Sequence, residues 1–524
     1  MASTSTRTGS PSGSYFELVY RNPLWVFLGL SVTLSLWYMV FPDVVPLHNG
    51  FAWEGDTYYK PVAIDLPRQL LVTHINSYTI QRVLPFALLH GFFRLFNIPF
   101  QDDYLILWMQ VFNLGLGVLM IVLWHKIATL MRLSLEAAWV GFLAFFINFS
   151  FLKYDLYIPF TTDRLAAAAG LTSLYFYLRR STLGLWLTAL VSLGIWPTAL
   201  AYNLLLLLIP ADEPLPQTKN RPLSLLWAAG ISLVVMLLFV GVLYVRDVPL
   251  PPRMAPEVRS LLPLGIVLTG AYLFYTQWML GQRVIPGWAE MWSLVLRTLR
   301  PSLKWLYLLG LLVAYFLLTR YVGDPSRSYL PFKTFLINTT YAVLQRPLQF
   351  IVAHGVYYGL AALVPLLFWR RVLSVLDRLG LGLSLMLMVV LLQAINSETR
   401  QLANVLPLLA LVAAAVADTL PLNRTAVWTT AALLLLVSKM WLPFNWFDPT
   451  FGQPDDRFPS FSFVHTGIML EWPFQVYFMN QGPWISTTYL LLQGAILAVV
   501  GFVVYKAFTA PKAAVSPAAN RETE

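Results

Sequence analysis

Apolar runs of about twenty residues, long enough to cross the hydrocarbon of a bilayer, follow one another along most of this chain. Inside lipid each backbone N–H and C=O must find its partner within the protein, and runs of this length do so as transmembrane helices. Only 11% of the 524 residues are charged, where soluble domains carry roughly 25%. The mean hydropathy is +0.65. The expected fold is an all-α polytopic membrane protein with about 14 transmembrane helices and interfacial helices in its first outer loop.

The net charge of +10 does not point to nucleic acid. Lys and Arg gather in short turns between apolar runs, where they fix topology by the positive-inside rule. The partner expected for this surface is the lipid bilayer, and no nucleic acid. With no cysteine in the chain, disulfides, a thiolate nucleophile and Cys-ligated metal are all excluded. There is no H-E-x-x-H metal pattern, no Walker A loop and no dinucleotide fingerprint.

Arg7 and Arg21 precede the first run, Pro23 to Phe41, and Asp43 follows it. This places residues 1–22 in the cytoplasm as a disordered N-terminus and the loop 42–103 outside. The transmembrane domain runs from 23 to 508, and 509–524 form a cytoplasmic tail. Within the first outer loop, residues 79–96 are apolar but interrupted by Arg82, Pro85, His90 and Arg94, which suits a helix lying along the interface. Residues 182–209, broken at Gly194 and Pro197, read as a hairpin of two short helices, because proline removes a helix hydrogen bond. A late outer loop, 444–484, carries Asp448, Asp455, Asp456 and Glu471 against Arg457 alone.

Candidate chemistry concentrates in the outer loops. The first loop holds W-E-G-D-T-Y-Y, with Glu54 and Asp56 among aromatic faces suited to sugars or headgroups. Asp56 is placed to take a proton from an acceptor hydroxyl or to help hold a divalent ion. The next outer loop, K-Y-D-L-Y-I-P-F-T-T-D-R, supplies Asp155 and Asp163, followed by Arg164. Arg82, Arg164 and Arg400 are expected on the same side, and guanidinium binds phosphate in a bidentate manner. Arg400 stands in N-S-E-T-R-Q, a tight charged turn between two apolar runs, and charge at membrane depth is paired or functional.

The arrangement of a first span, a long outer loop with an early acid (Asp56), an interfacial helix carrying Q-R-V-L-P, and a second acidic outer loop with Asp155 and Asp163 resembles the GT-C superfamily of integral-membrane glycosyltransferases. The resemblance covers roughly residues 23–210. It implies inverting transfer of a sugar from a polyprenyl-phosphate donor to an acceptor at the outer, periplasmic face of a bacterial inner membrane. Asp56 and Asp155 would be the catalytic acids, and Glu54, Arg82, Asp163, Arg164 and Arg400 would bind substrate. The second loop lacks the adjacent acid pair of well-known members, so a divalent cation (Mg²⁺ or Mn²⁺) stays an open expectation, as do donor sugar, acceptor and oligomeric state. Three alternatives stand beside this one: a transporter or flippase of a lipid-linked substrate, a polysaccharide polymerase or ligase, and an inactive glycosyltransferase-like subunit.

Overall fold

A computed structural model describes residues 15–41, 43–45, 47–245, 256–324, 326, 332–344, 346–441 and 487–510. The expected late outer loop, most of the N-terminal segment and nearly all of the tail lie outside the described residues. Among those described, the chain is helical, and its β-pairing is limited to two isolated bridges, Asn76–Asp324 and Lys219–Pro286. Eight helices are long and apolar enough to cross a membrane, or nine if the pair Leu135–Phe146 and Ser150–Tyr157, bent by 50°, forms one span. This is a helical membrane protein. Four further apolar helices, Leu84–Leu95, Thr182–Ser192, Ala199–Leu208 and Arg424–Val437, are shorter.

The centre of the bundle is Leu406–Ala417, every residue of which is buried. Its sequence, LPLLALVAAAVA, is apolar on all sides, as a fully surrounded helix must be. Alanines on this helix let neighbours approach closely. A Cβ added at Gly141 would meet Ala414 at 3.1 Å and Trp124 at 2.2 Å. Small residues at such crossings are how membrane helices gain packing contact where lipid is as apolar as leucine.

The central helix is entered through a short 3₁₀ turn, Thr399–Val405, against which Asp163–Leu178 packs. A Cβ at Gly170 would stand 1.9 Å from the carbonyl oxygen of Asn404. Backbone meets backbone there, and the crossing sets Asp163 and Arg400 side by side. Thr182–Ser192 and Ala199–Leu208 form the expected hairpin of two short helices. At 11 residues and 1.5 Å per residue the first arm is about 16 Å long, roughly half the hydrocarbon thickness of about 30 Å.

The first loop is not a loose excursion. It winds into short helices from Ala52 to Arg68 and returns through Leu84–Leu95, enclosing its own apolar core. Phe51, Tyr59, Val62, Ile80 and Phe86 pack there with Phe160 of the second loop. Tyr59 stacks on Phe86 with centroids 4.3 Å apart, and Phe86 stacks on Phe160 at 4.8 Å. The two acidic loops are therefore one packed unit.

This packing predicts that Gly170→Ala destabilises the protein by roughly 1–3 kcal/mol, the usual range for overpacking. The melting temperature in detergent should fall, while Gly115→Ala, where an added Cβ meets nothing within 4 Å, should leave it unchanged or slightly higher. Equal behaviour of the two variants would contradict the crossing.

Candidate functional site

Arg400 joins both acidic loops. Its Nη2 donates to Glu54 Oε2 at 3.2 Å, and its Nε stands 3.3 Å from Asp163 Oδ1. Nη1 reaches the Tyr154 hydroxyl at 3.5 Å, and Glu398 lies at 4.0 Å. Glu54 Oε2 also faces Arg82 Nη1 at 3.6 Å and accepts from the Tyr59 hydroxyl at 3.2 Å. Glu54 thus sits between two guanidinium groups, and Arg400 sits between two carboxylates.

Arg82 is held differently. It is 1% exposed, yet among the described residues none of its guanidinium nitrogens makes a hydrogen bond. It is kept in place by ring faces instead, with its guanidinium carbon 4.6 Å from the Tyr78 centroid and 4.3 Å from that of Trp196. Trp196 comes from the tip of the short helical hairpin, which Leu84 N–H anchors by donating to the Gly194 carbonyl at 2.9 Å. A desolvated cation–π contact is worth up to about 2 kcal/mol, and beside the ion pair with Glu54 it leaves the nitrogens without a hydrogen bond among the described residues.

Arg164 and Asp155 form a separate, inner pair. Arg164 Nε donates to Asp155 Oδ2 at 3.2 Å, Nη1 to the Asn113 carbonyl at 3.1 Å and Nη2 to the Phe151 carbonyl at 2.7 Å. All three nitrogens are committed to protein acceptors, and both residues are buried. Arg164 therefore ties the second loop to its neighbours, whereas Arg82 and Arg400 keep capacity for a ligand. Asp155 and Asp163 both line a narrow cavity with Ser150, Tyr358 and Leu406.

Asp56 faces elsewhere. Glu54 and Asp56 lie two positions apart in one continuous helical stretch, which turns them roughly 200° from each other. Asp56 stands 3.6 Å from His48 Nδ1 and 3.8 Å from Lys60 Nζ, and Lys60 donates to Asp102 at 2.9 Å. Its side chain is 36% exposed. The structure therefore brings Glu54, Arg82, Asp163 and Arg400 together, places Asp155 and Arg164 beside them, and sets Asp56 on the outward side of the same helix. Among the described residues no group of three or more His, Asp or Glu side chains is arranged to hold a metal ion.

Two contributors, Tyr78 and Tyr154, carry no signal in a linear reading, and a third is Trp196. Trp196 had one available clue. Irregular backbone such as G-I-W-P at membrane depth persists only where it is buried in protein or lines a cavity.

Burial pushes the Glu54 carboxyl upward, but Arg400 and Arg82 outweigh this and hold it below the usual carboxylate range. Burial also drives the Tyr59 phenol well above its ordinary value, so it stays protonated and donates to Glu54. A carboxyl depressed in the native state lends stability that is complete above its unfolded value and fades as pH falls through the native one. The gap in melting temperature between wild type and Glu54→Gln should thus be widest near neutrality and narrow in acid. A gap independent of pH would contradict the pairing.

No family model, curated protein or solved structure matches this chain, so the chemistry of the residues themselves has to carry the functional assignment.

Proposed function

We propose that this chain is a membrane glycosyltransferase of GT-C type, moving a sugar from a polyprenyl-phosphate donor to an acceptor hydroxyl at the outer, periplasmic face of a bacterial inner membrane. About fourteen spans, counting the shorter helices, belong to this reading. The observation that carries it is the Glu54–Arg400–Asp163 network with Arg82 beside it, where two cations meet the first and second loops at one end of the bundle.

In this reading the site lies below the membrane surface. Asp163 begins a 16-residue helix, about 24 Å long at 1.5 Å per residue, against a hydrocarbon thickness of roughly 30 Å. A lipid-linked phosphate reaches that depth without leaving the bilayer. Its oxygens take the place of Glu54 on Arg400 and Arg82, whose forks match phosphate geometry. The acceptor oxygen attacks the anomeric carbon as the carbon–phosphate oxygen bond breaks, and its proton passes to Asp56, which in this reading the acceptor meets from the outward side of the helix that carries Glu54. The departing lipid phosphate leaves with its negative charge held by the two guanidinium groups, the kind of preorganised stabilisation that dominates many reactions.

The test is turnover and donor binding measured on the same purified protein. Asp56→Asn should reduce release of polyprenyl phosphate from a lipid-linked sugar to near background while keeping phosphate binding. Arg400→Gln should weaken polyprenyl-phosphate binding at least tenfold, as expected for the loss of a charged hydrogen bond of about 1.5–3 kcal/mol. Full turnover in Asp56→Asn would sink its role as base, and unchanged binding in Arg400→Gln would sink the phosphate site.

One observation favours a second reading, a carrier for a lipid-linked anion. The bent pair Leu135–Phe146 and Ser150–Tyr157, with Asp155 on its second segment and Arg164 buried beside it, resembles the broken helices that line transport sites. Movement of a labelled lipid between leaflets without chemical change would select the carrier.

A further inference from the structure

The helix Trp288–Leu299 is amphipathic with its faces reversed relative to a soluble protein. Glu290 and Arg297, seven residues apart and so on one side, turn inward to the chain. Glu290 accepts from the backbone N–H of Gln217 at 3.1 Å and of Thr218 at 2.9 Å, and Arg297 pairs with Glu213 at 3.0 Å. The opposite stripe, Trp288, Trp292, Leu296 and Leu299, is 57–63% exposed. No residue of this helix is buried. A contiguous apolar face of this kind marks an interaction surface.

Geometry limits what can cover it. Three residues separate the helix from the candidate span Ser260–Val284, and three separate it from Leu303–Val322. Its 12 residues give a length of about 18 Å, too short to cross roughly 30 Å of hydrocarbon. Both of its ends therefore belong to one membrane face, and the helix runs along that face. The segment 281–304 holds Arg283, Arg297, Arg300 and Lys304 against Glu290 alone, which complements anionic headgroups. Two tryptophans on the apolar stripe match the interfacial preference of that side chain.

We infer that Trp288–Leu299 is a membrane-docking helix whose Trp288–Trp292–Leu296–Leu299 stripe is immersed in the headgroup layer, with the 211–220 segment capping it on the water side. This holds whatever the transferase site does. The alternative occupants, a second copy of the chain or a partner protein, would shield the stripe from lipid and water alike.

The chain has no cysteine, so single-cysteine variants of the full protein can be spin-labelled directly. Trp292→Cys and Leu296→Cys report on the stripe, and Gln217→Cys reports on the exposed capping segment. In vesicles of phosphatidylethanolamine and phosphatidylglycerol, the labels at 292 and 296 should collide more with oxygen than with an aqueous nickel complex. The label at 217 should show the reverse. Aqueous accessibility at 292 and 296 equal to that at 217, or protection of both from both reagents, would overturn the assignment. Using two stripe positions guards against one variant failing to fold.

Discussion

The guanidinium of Arg400 is the contact on which the loop-bearing end of this protein depends. A cation largely withdrawn from water must be paired, and here its partners come from two different loops. Glu54 belongs to the first and Asp163 to the second. Removing one partner of a buried pair typically costs 3–5 kcal/mol, because the other charge is left uncompensated. Such a pair gives little net stability against an apolar alternative of the same shape. Its retention in an apolar bundle thus suits a site that exchanges one anion for another.

The packing below serves that contact. Leu406–Ala417 is apolar throughout and buried along its whole length, so it acts as a fixed post on which the 3₁₀ turn bearing Arg400 is mounted. The turn is further braced from the helix Gln349–Tyr358. His354 Nδ1 lies 2.9 Å from Thr399 Oγ1, and the Tyr358 hydroxyl donates to the Thr399 carbonyl at 3.1 Å. Arg82 is positioned by a different logic, between two rings and without hydrogen bonds. One arginine is fixed through its turn, and the other through its faces.

Much of this was legible in the linear chain, for reasons that can be named. Long apolar runs require helices, Gly194 and Pro197 require a break, and charges in a turn such as Glu398–Arg400 require partners. What could not be read was phase. Whether Glu54 or Asp56 faces Arg400 depends on where a helix begins, and the stretch from Gly55 to Tyr59 winds as a wider π-type turn. Trp196 reaches Arg82 only through a tertiary contact more than a hundred positions away in sequence. In Trp288–Leu299 the cations Arg297 and, just after it, Arg300 stand out in the linear chain, while the apolar stripe shows only once the polar face is seen bonded to 211–220.

The account stands or falls on where a lipid-linked phosphate settles. A cryo-electron microscopy structure of the full chain in lipid with a polyprenyl phosphate is the most direct test. The account predicts phosphate density against Arg400 and Arg82, with the Glu54 side chain turned out of its present position between them. Phosphate density elsewhere, with the Glu54–Arg400–Asp163 network intact, would contradict it.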